Sequence, residues 1–351
     1  MTLLSERITQ VPPPDIAATN AARERQDRLT KPRGALGRLE ELSIRLAGMT
    51  GEIAPDLSRK AVVVMAADHG VVAQGVSAYP QEVTAQMVLN FLRGGAAINV
   101  LAKQMGARVA VVDIGVAAGL GELPGLMSRK VAPGTRDLSQ EPAMTRQQAI
   151  QAIETGIEIV DGLAADGLDL LATGEMGIGN PTPSSALVAC FTGEPPERVT
   201  GYGTGVSDEA RRQKVKVVED ALALHHPDPA DPLAVLTCIG GLEIAGLAGA
   251  VIAAAARRVP VVIDGFISTA AALVAVGLCP AAREYLIASH RSQEPGHRAA
   301  LAHLGLEPLF DLNLRLGEGT GAVLAFPMIE AASRLLGEMA TFGEAGVSGP
   351  D

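Results

Sequence analysis

Apolar positions along the chain fall into two alternating patterns. Short continuous apolar runs occupy residues 61–67 (AVVVMAA), 108–112, 168–173, 259–263 and 285–288. Runs of this length, with polar residues only at Arg108, Asp169 and Thr173, predict strands buried on both faces. Between them, apolar residues recur at helical spacing over residues 81–93, 96–105, 183–190, 242–257 and 267–276. Another helix starts at the capping-box pattern Thr145–Gln148, with Ile150, Ile153, Ile157 and Val160 as its stripe. A further helix opens at Ser207, an N-cap followed by Asp208 and Glu209, and ends near His225 and His226. Two helices flank the alternating region: 30–49, with Leu36, Leu39, Leu42 and Leu46, and 323–339. Residues 1–29, polar and carrying Pro12, Pro13 and Pro14, read as an arm. Residues 115–143, rich in Gly and Pro, read as a long irregular stretch of the kind that often forms a functional lid.

Alternation of strand and helix predicts an α/β fold: a doubly wound, mostly parallel sheet with helices on both faces, over residues 59–320. Segments 1–58 and 321–351 are expected to supply a small helical lobe. Aromatic residues make up only 3% of the 351-residue chain, and Trp is absent, so Ala, Val, Leu and Ile must build the core. The net charge of −10 argues against nucleic acid or an anionic membrane as partner. Cys190, Cys238 and Cys279 have no metal-type spacing and fit a reduced, cytoplasmic compartment. The N-terminal MTLLSERITQVPPPD does not read as a signal peptide. The apolar run 239–256 is broken by four glycines and Glu243, so it reads as a buried helix rather than a membrane span.

Candidate chemistry gathers where strands end. Asp68-His69, Asp113, Glu175, Asp264 and Ser289-His290 each follow a predicted strand. In a parallel sheet these ends share one edge, which is where ligands bind. Each is also a common capping or turn residue, so two or three of the five are expected to be structural. The central stretch is Gly174–Thr182 (GEMGIGNPT), a glycine-rich strand-to-helix connection with one acid. It reads either as a tight turn or as a binding loop beside a helix N-terminus. Gly203-Thr204-Gly205 precedes the helix that bears Lys214. Glycine N–H groups, a hydroxyl and a Lys suit a single phosphate, the alternative being a solvated basic helix face. Neither a Walker A loop nor a dinucleotide fingerprint is present. Glu318 stands between Gly317 and Gly319, near Leu316. Apolar surroundings would raise its pKa and make it a proton acceptor; otherwise it is an acid favoured by a helix N-terminus. Asp68-His69 could ligate a metal if a second carboxylate such as Asp113 or Asp264 joined it, but no H-x-x-x-H or D-x-D spacing supports that, and a His at a strand end more often holds a loop through hydrogen bonds.

The blocks KPRGALGRLEEL (31–42), AADHGVVAQGVSAYPQEVT (66–84), GEMGIGNPT (174–182), GYGTG (201–205), IGGLEIAGLAGA (239–250), VVIDGF (261–266), SHRSQEPGH (289–297) and LGEGTGA (316–322) follow one another along nearly the whole chain. In this order they resemble the nicotinate-nucleotide–dimethylbenzimidazole phosphoribosyltransferases of cobalamin lower-ligand assembly. The resemblance implies transfer of ribosyl phosphate from nicotinate mononucleotide to a benzimidazole nitrogen, with inversion and without metal or cofactor. It implies Glu318 as the base and Glu175 as electrostatic support for an oxocarbenium-like transition state. Gly177, Gly179 and Asn180 would line the nucleotide site. Gly203, Thr204, Gly205, Lys214, Asp264 and Ser292 would hold ribose and phosphate. Tyr79, Gln86, Met87, Met176 and Leu316 would wall the benzimidazole pocket. The family pattern has a small hydroxyl residue before the proline and a Gln one helical position later, where this chain has Tyr79 and Met87. A homodimer with its site near the subunit interface is implied as well. Two competing readings are a metal-dependent phosphohydrolase built on Asp68-His69 and a non-catalytic nucleotide-binding paralogue, which would need the glycine loops and Lys214 but not Glu318.

Overall fold

The computed structural model describes residues 2–203, 205 and 207–349. Six strands form one sheet: β1 (Lys60–Ala67), β2 (Ala107–Gly115), β3 (Leu126–Ser128), β4 (Leu170–Met176), β5 (Val261–Ile263) and β6 (Leu286–Ala288). Their order is β3-β2-β1-β4-β5-β6 and every pairing is parallel. The chain winds outward from β1 to β3, returns to place β4 beside β1, and winds outward again. That reversal opens a crevice between the carboxyl ends of β1 and β4, where doubly wound folds bind ligands.

All eight residues of β1 are buried, as expected of a strand covered on both faces. Its side chains alternate between two helical layers. Met65 packs toward Gly246 in the helix Leu242–Ala256, while Val62 faces Gly319 at the start of the helix Thr320–Glu338. The glycines of the apolar run have a packing reason. A Cβ on Gly156 would lie 1.8 Å from the carbonyl oxygen of Gly246, and one on Gly249 would lie 1.9 Å from that of Ile153. Helices Arg146–Ala165 and Leu242–Ala256 therefore meet backbone to backbone.

Three expectations are corrected. Residues 1–29 are not an irregular arm: they form helices Leu3–Thr9 and Ile16–Arg28. The second is capped by Asp15, which accepts from the Ala18 N–H, and it packs through Ala18 and Ala22 on Ala47 and Leu336. Helices Ile16–Arg28, Arg38–Thr50 and Thr320–Glu338 thus form the small helical lobe. Residues 115–143 are not wholly irregular: they contain β3, and Thr135 bridges to His69. Finally, β4 runs to Met176, because its pairing with β1 continues through Gly174, Glu175 and Met176. The turn is Gly177–Asn180, and the next helix starts at Pro181.

Candidate active site

Glu175 is the last but one residue of β4 and is only 6% exposed. Asn180, at the far side of the Gly177 turn, donates its amide Nδ2 to Glu175 Oε2. The same turn is tied to the helix Glu82–Leu92, because the Ile178 N–H donates to Thr84 Oγ1 at 3.1 Å. Opposite lies the loop that precedes the helix Thr320–Glu338. A Cβ on Gly317 would come within 2.2 Å of Glu175 Oε1, so that loop rests directly on the Glu175 carboxyl. Burial pushes the Glu175 pKa up to about 8; the Asn180 hydrogen bond opposes this, and the charges of Glu243, Asp264 and Glu318 add to it.

Glu318 is buried and its φ is 64°, between Gly317 at 90° and Gly319 at 92°. Its Oε2 accepts from the Ile98 N–H at 3.2 Å, in the first turn of the helix Ala97–Gln104. A carboxylate there is favoured by the helix dipole and by an otherwise unused donor. Burial raises its pKa and the Ile98 bond works against that rise. Leu316, two residues before it, is 59% exposed.

Asp264, at the end of β5, supports this loop from below. Its Oδ2 accepts from the Gly319 N–H at 3.2 Å and its Oδ1 from the Ala322 N–H at 3.0 Å. Burial lifts its pKa to about 7 against those backbone bonds. Each Asp264 oxygen thus accepts from the chain itself, and Asp264 holds the loop that carries Glu318. Other strand-end groups are likewise engaged. Asp68 Oδ2 accepts from the Ala117 N–H, Asp113 pairs with Lys130 Nζ at 3.3 Å, and Ser289 Oγ donates to the Ile263 carbonyl.

A second cluster lies at Gly201–Gly205. Lys214 comes from the helix Asp208–His225, and its residue is 1% exposed, so it is not on a solvated face. Among the described residues its Nζ reaches only the Gly201 carbonyl, at 3.5 Å, and would stand 3.4 Å from a Cβ on Gly203. Burial lowers its pKa to about 8, with Glu294 acting to raise it. A buried ammonium with one long hydrogen bond suits an incoming anion. Glu294 escaped the reading of the sequence. Its Oε1 accepts from the Gly203 N–H at 2.8 Å, while its Oε2 is buried without a hydrogen-bond partner among the described residues. Arg315 also escaped it; Nη1 donates to the Gly203 carbonyl at 2.9 Å, joining this turn to the loop of Leu316 and Glu318. Ser292 is buried, and its Oγ accepts from the Glu294 N–H. Thr204 lies outside the described residues. The signal for Glu294 was its place before Pro295 in a block already singled out; Arg315 carried none.

The expected aromatic wall is less enclosed. Met87 and Met176 are half-buried against the core, whereas Gln86 is exposed and Tyr79 is 51% exposed. Among the described residues no group of three or more His, Cys, Asp or Glu could hold a metal ion, and no helix is long and apolar enough to cross a membrane.

Comparison with known proteins is consistent along the chain. A family model described as phosphoribosyltransferase, DBI_PRT, matches residues 11–347. The chain is 62% identical over 349 residues to the nicotinate-nucleotide–dimethylbenzimidazole phosphoribosyltransferase of Roseiflexus castenholzii, covering 99% of each. It is 63% identical over 348 residues to the protein of the same name from Chloroflexus aggregans, again covering 99% of each. The crystal structure of CobT from Thermus thermophilus superposes with a TM-score of 0.93 at 54% identity, covering 95% of this chain and all of that one.

Proposed function

Since this chain belongs to the nicotinate-nucleotide–dimethylbenzimidazole phosphoribosyltransferase family, we propose that its switch-point crevice carries out that transfer. The 5-phosphoribosyl group of nicotinate mononucleotide passes to dimethylbenzimidazole, giving α-ribazole phosphate and nicotinate, as in assembly of the cobalamin lower ligand. One observation carries the reading of the site: two carboxyls from separate segments, Glu175 on β4 and Glu318 on the Gly317–Gly319 loop, are held together at the β1/β4 crevice.

The chemistry divides between them. The C1′–N bond to the pyridinium breaks and its electron pair leaves with the ring nitrogen, so nicotinate needs no proton to depart. A benzimidazole nitrogen attacks the opposite face of C1′, and the proton on its other nitrogen passes to Glu318. Glu318 is aimed by the Ile98 N–H and carried on the loop that Asp264 fixes. Glu175 faces the ribose, and its ionised form supports the positive charge that develops at C1′. The cationic pyridinium favours that ionised form, against the burial that raises the pKa to about 8. Lys214 takes the phosphate, with Gly203, Gly205 and Ser292 around it, and Gly177, Gly179 and Asn180 line the nucleotide. Met87, Met176, Tyr79, Gln86 and Leu316 form the wall for the aromatic base.

The same reading includes a homodimer, which would cover apolar side chains such as Tyr79, Val100 and Leu316 that a single chain leaves exposed. A cytoplasmic location suits three free cysteines. Neither competing reading has a specific observation in its favour. His69 is engaged by Glu243, and the strained, carefully held Glu318 loop has no use in a passive nucleotide binder. The test is an incubation of the purified protein with nicotinate mononucleotide and dimethylbenzimidazole in EDTA. Equimolar nicotinate and α-ribazole phosphate are expected. Phosphate release without a ribotide, or activity that returns only when one divalent ion is restored, would overturn the proposal.

A further inference from the structure

One buried pair behind the crevice has no part in the chemistry above. His69, just past β1, and Glu243, in the first turn of the helix Leu242–Ala256, are both fully buried. His69 Nε2 lies 2.8 Å from Glu243 Oε1. The second ring nitrogen, His69 Nδ1, and the second carboxylate oxygen, Glu243 Oε2, have no hydrogen-bond partner. Burying two ionisable groups so deeply is costly and rarely improves stability over apolar residues of similar volume. Their position gives them a use. A Cβ on Gly177 would stand 3.2 Å from His69 Nε2 and equally 3.2 Å from Asn180 Nδ2. Asn180 Nδ2 is the donor to Glu175 Oε2. Through space the order is therefore Glu243, His69, the Gly177 backbone, Asn180, Glu175.

We propose that His69 and Glu243 are positioning residues for Glu175: they back the Gly177 turn and set the field in which the Glu175 carboxyl ionises. The groups acting on Glu175 are Glu243 from the helix Leu242–Ala256, Asp264 from the end of β5, Glu318 from the Gly317–Gly319 loop and the neutral Asn180 from its own turn, while His69 from the end of β1 stands against the Gly177 backbone. His290 stands behind Asp264, against Gly265 and Gly321. Glu243 is the leading charged neighbour in raising the Glu175 pKa, after burial itself and the opposing Asn180 bond. Its hydrogen bond to His69 fixes where that charge sits. Removing the charge while keeping the shape lowers the pH at which Glu175 ionises.

This inference rests on Glu175 belonging to the reacting site, so the test separates the two. Protein labelled with carbon-13 at the Glu side-chain carboxyl is titrated by NMR without substrate, and the Glu175 signal is identified by its loss in Glu175→Gln. In Glu243→Gln the Glu175 midpoint is expected to fall by roughly 1 pH unit, the scale of a like charge nearby. A second variant, Glu243→Met, removes the same charge with an unbranched apolar side chain of similar volume and is expected to show the same fall. An unmoved midpoint in either folded variant overturns the inference, because a merely structural pair would alter stability alone. The acid limb of kcat/KM for nicotinate mononucleotide should move with the NMR midpoint. A midpoint that falls while that limb stays fixed leaves the inference standing and removes Glu175 from the proposed mechanism.

Discussion

Lys214→Met should make the unliganded protein more stable and a poorer binder of nicotinate mononucleotide. Lys214 is buried beside Gly201 and Gly203 with a single long hydrogen bond among the described residues, and its pKa falls from 10.5 to about 8. At ~1.4 kcal/mol per unit, that fall corresponds to roughly 3 kcal/mol of penalty for holding the charge without a ligand. The folded-state value lies below that of the unfolded chain, so the unfolded chain binds the proton more tightly. The penalty is fully present below pH 8, shrinks as the pH rises from about 8 toward 10.5, and is gone above. Met keeps the stem's apolar contacts and removes the cost, so a gain of about 1–3 kcal/mol at pH 7 is expected. The lost ammonium–phosphate contact should weaken nucleotide binding by about 1.5–3 kcal/mol, roughly tenfold to a hundredfold. Urea unfolding at pH 7 and pH 10, with the KM for nicotinate mononucleotide, checks both. The stability difference between parent and variant should narrow at pH 10. Binding to the parent near pH 8 should also take up protons, which calorimetry in buffers of different ionisation enthalpy detects. A less stable Lys214→Met with an unchanged KM would refute the reasoning and make Lys214 a structural residue.

Glu318→Gln keeps the hydrogen bond from Ile98 but cannot accept the benzimidazole proton, so turnover should fall ~10²–10⁴-fold while nucleotide affinity persists. Turnover within a few-fold of the parent, beside an inactive Glu175→Gln, would assign the base to Glu175 instead. Gly317→Ala places a Cβ within 2.2 Å of Glu175 Oε1 at a φ of 90°. Strain of about 1–3 kcal/mol is expected there, with the loss appearing in kcat more than in nucleotide KM; parent-like kinetics would show that the loop is not seated as described. Sedimentation at micromolar concentration should find a dimer, and a monomer with full activity would remove the partner from the site.

The parallel sheet was legible because β1, β2 and β4 are built around apolar runs whose polar residues fall at or near their ends, and burial on both faces leaves little alternation to confuse them with surface strands. The N-terminal helices were not, since Ile16–Arg28 packs through alanines and shows no stripe of large side chains. β3 was missed because three residues on a sheet edge make too short a signal. Within the site, the residue types at Glu175, Glu318 and Lys214 stood out against their glycine-rich neighbours. What each oxygen touches did not. Asp264 reaches Gly319, 55 residues away, and Glu294 reaches Gly203, 91 residues away. Periodicity describes neighbours in the chain, and these partners meet only after the sheet has assembled.

Three consecutive residues at positive φ, Gly317, Glu318 and Gly319, set a residue with a side chain between two without one. A left-handed non-glycine residue costs about 1 kcal/mol or more relative to glycine. By backbone conformation alone, glycine is therefore the residue favoured at 318. Any process that rewards stability without demanding turnover, whether drift after loss of the pathway or a screen for thermal tolerance, should convert Glu318 to Gly among its early changes. On the mechanism proposed above, turnover holds the acid at this position against that gradient.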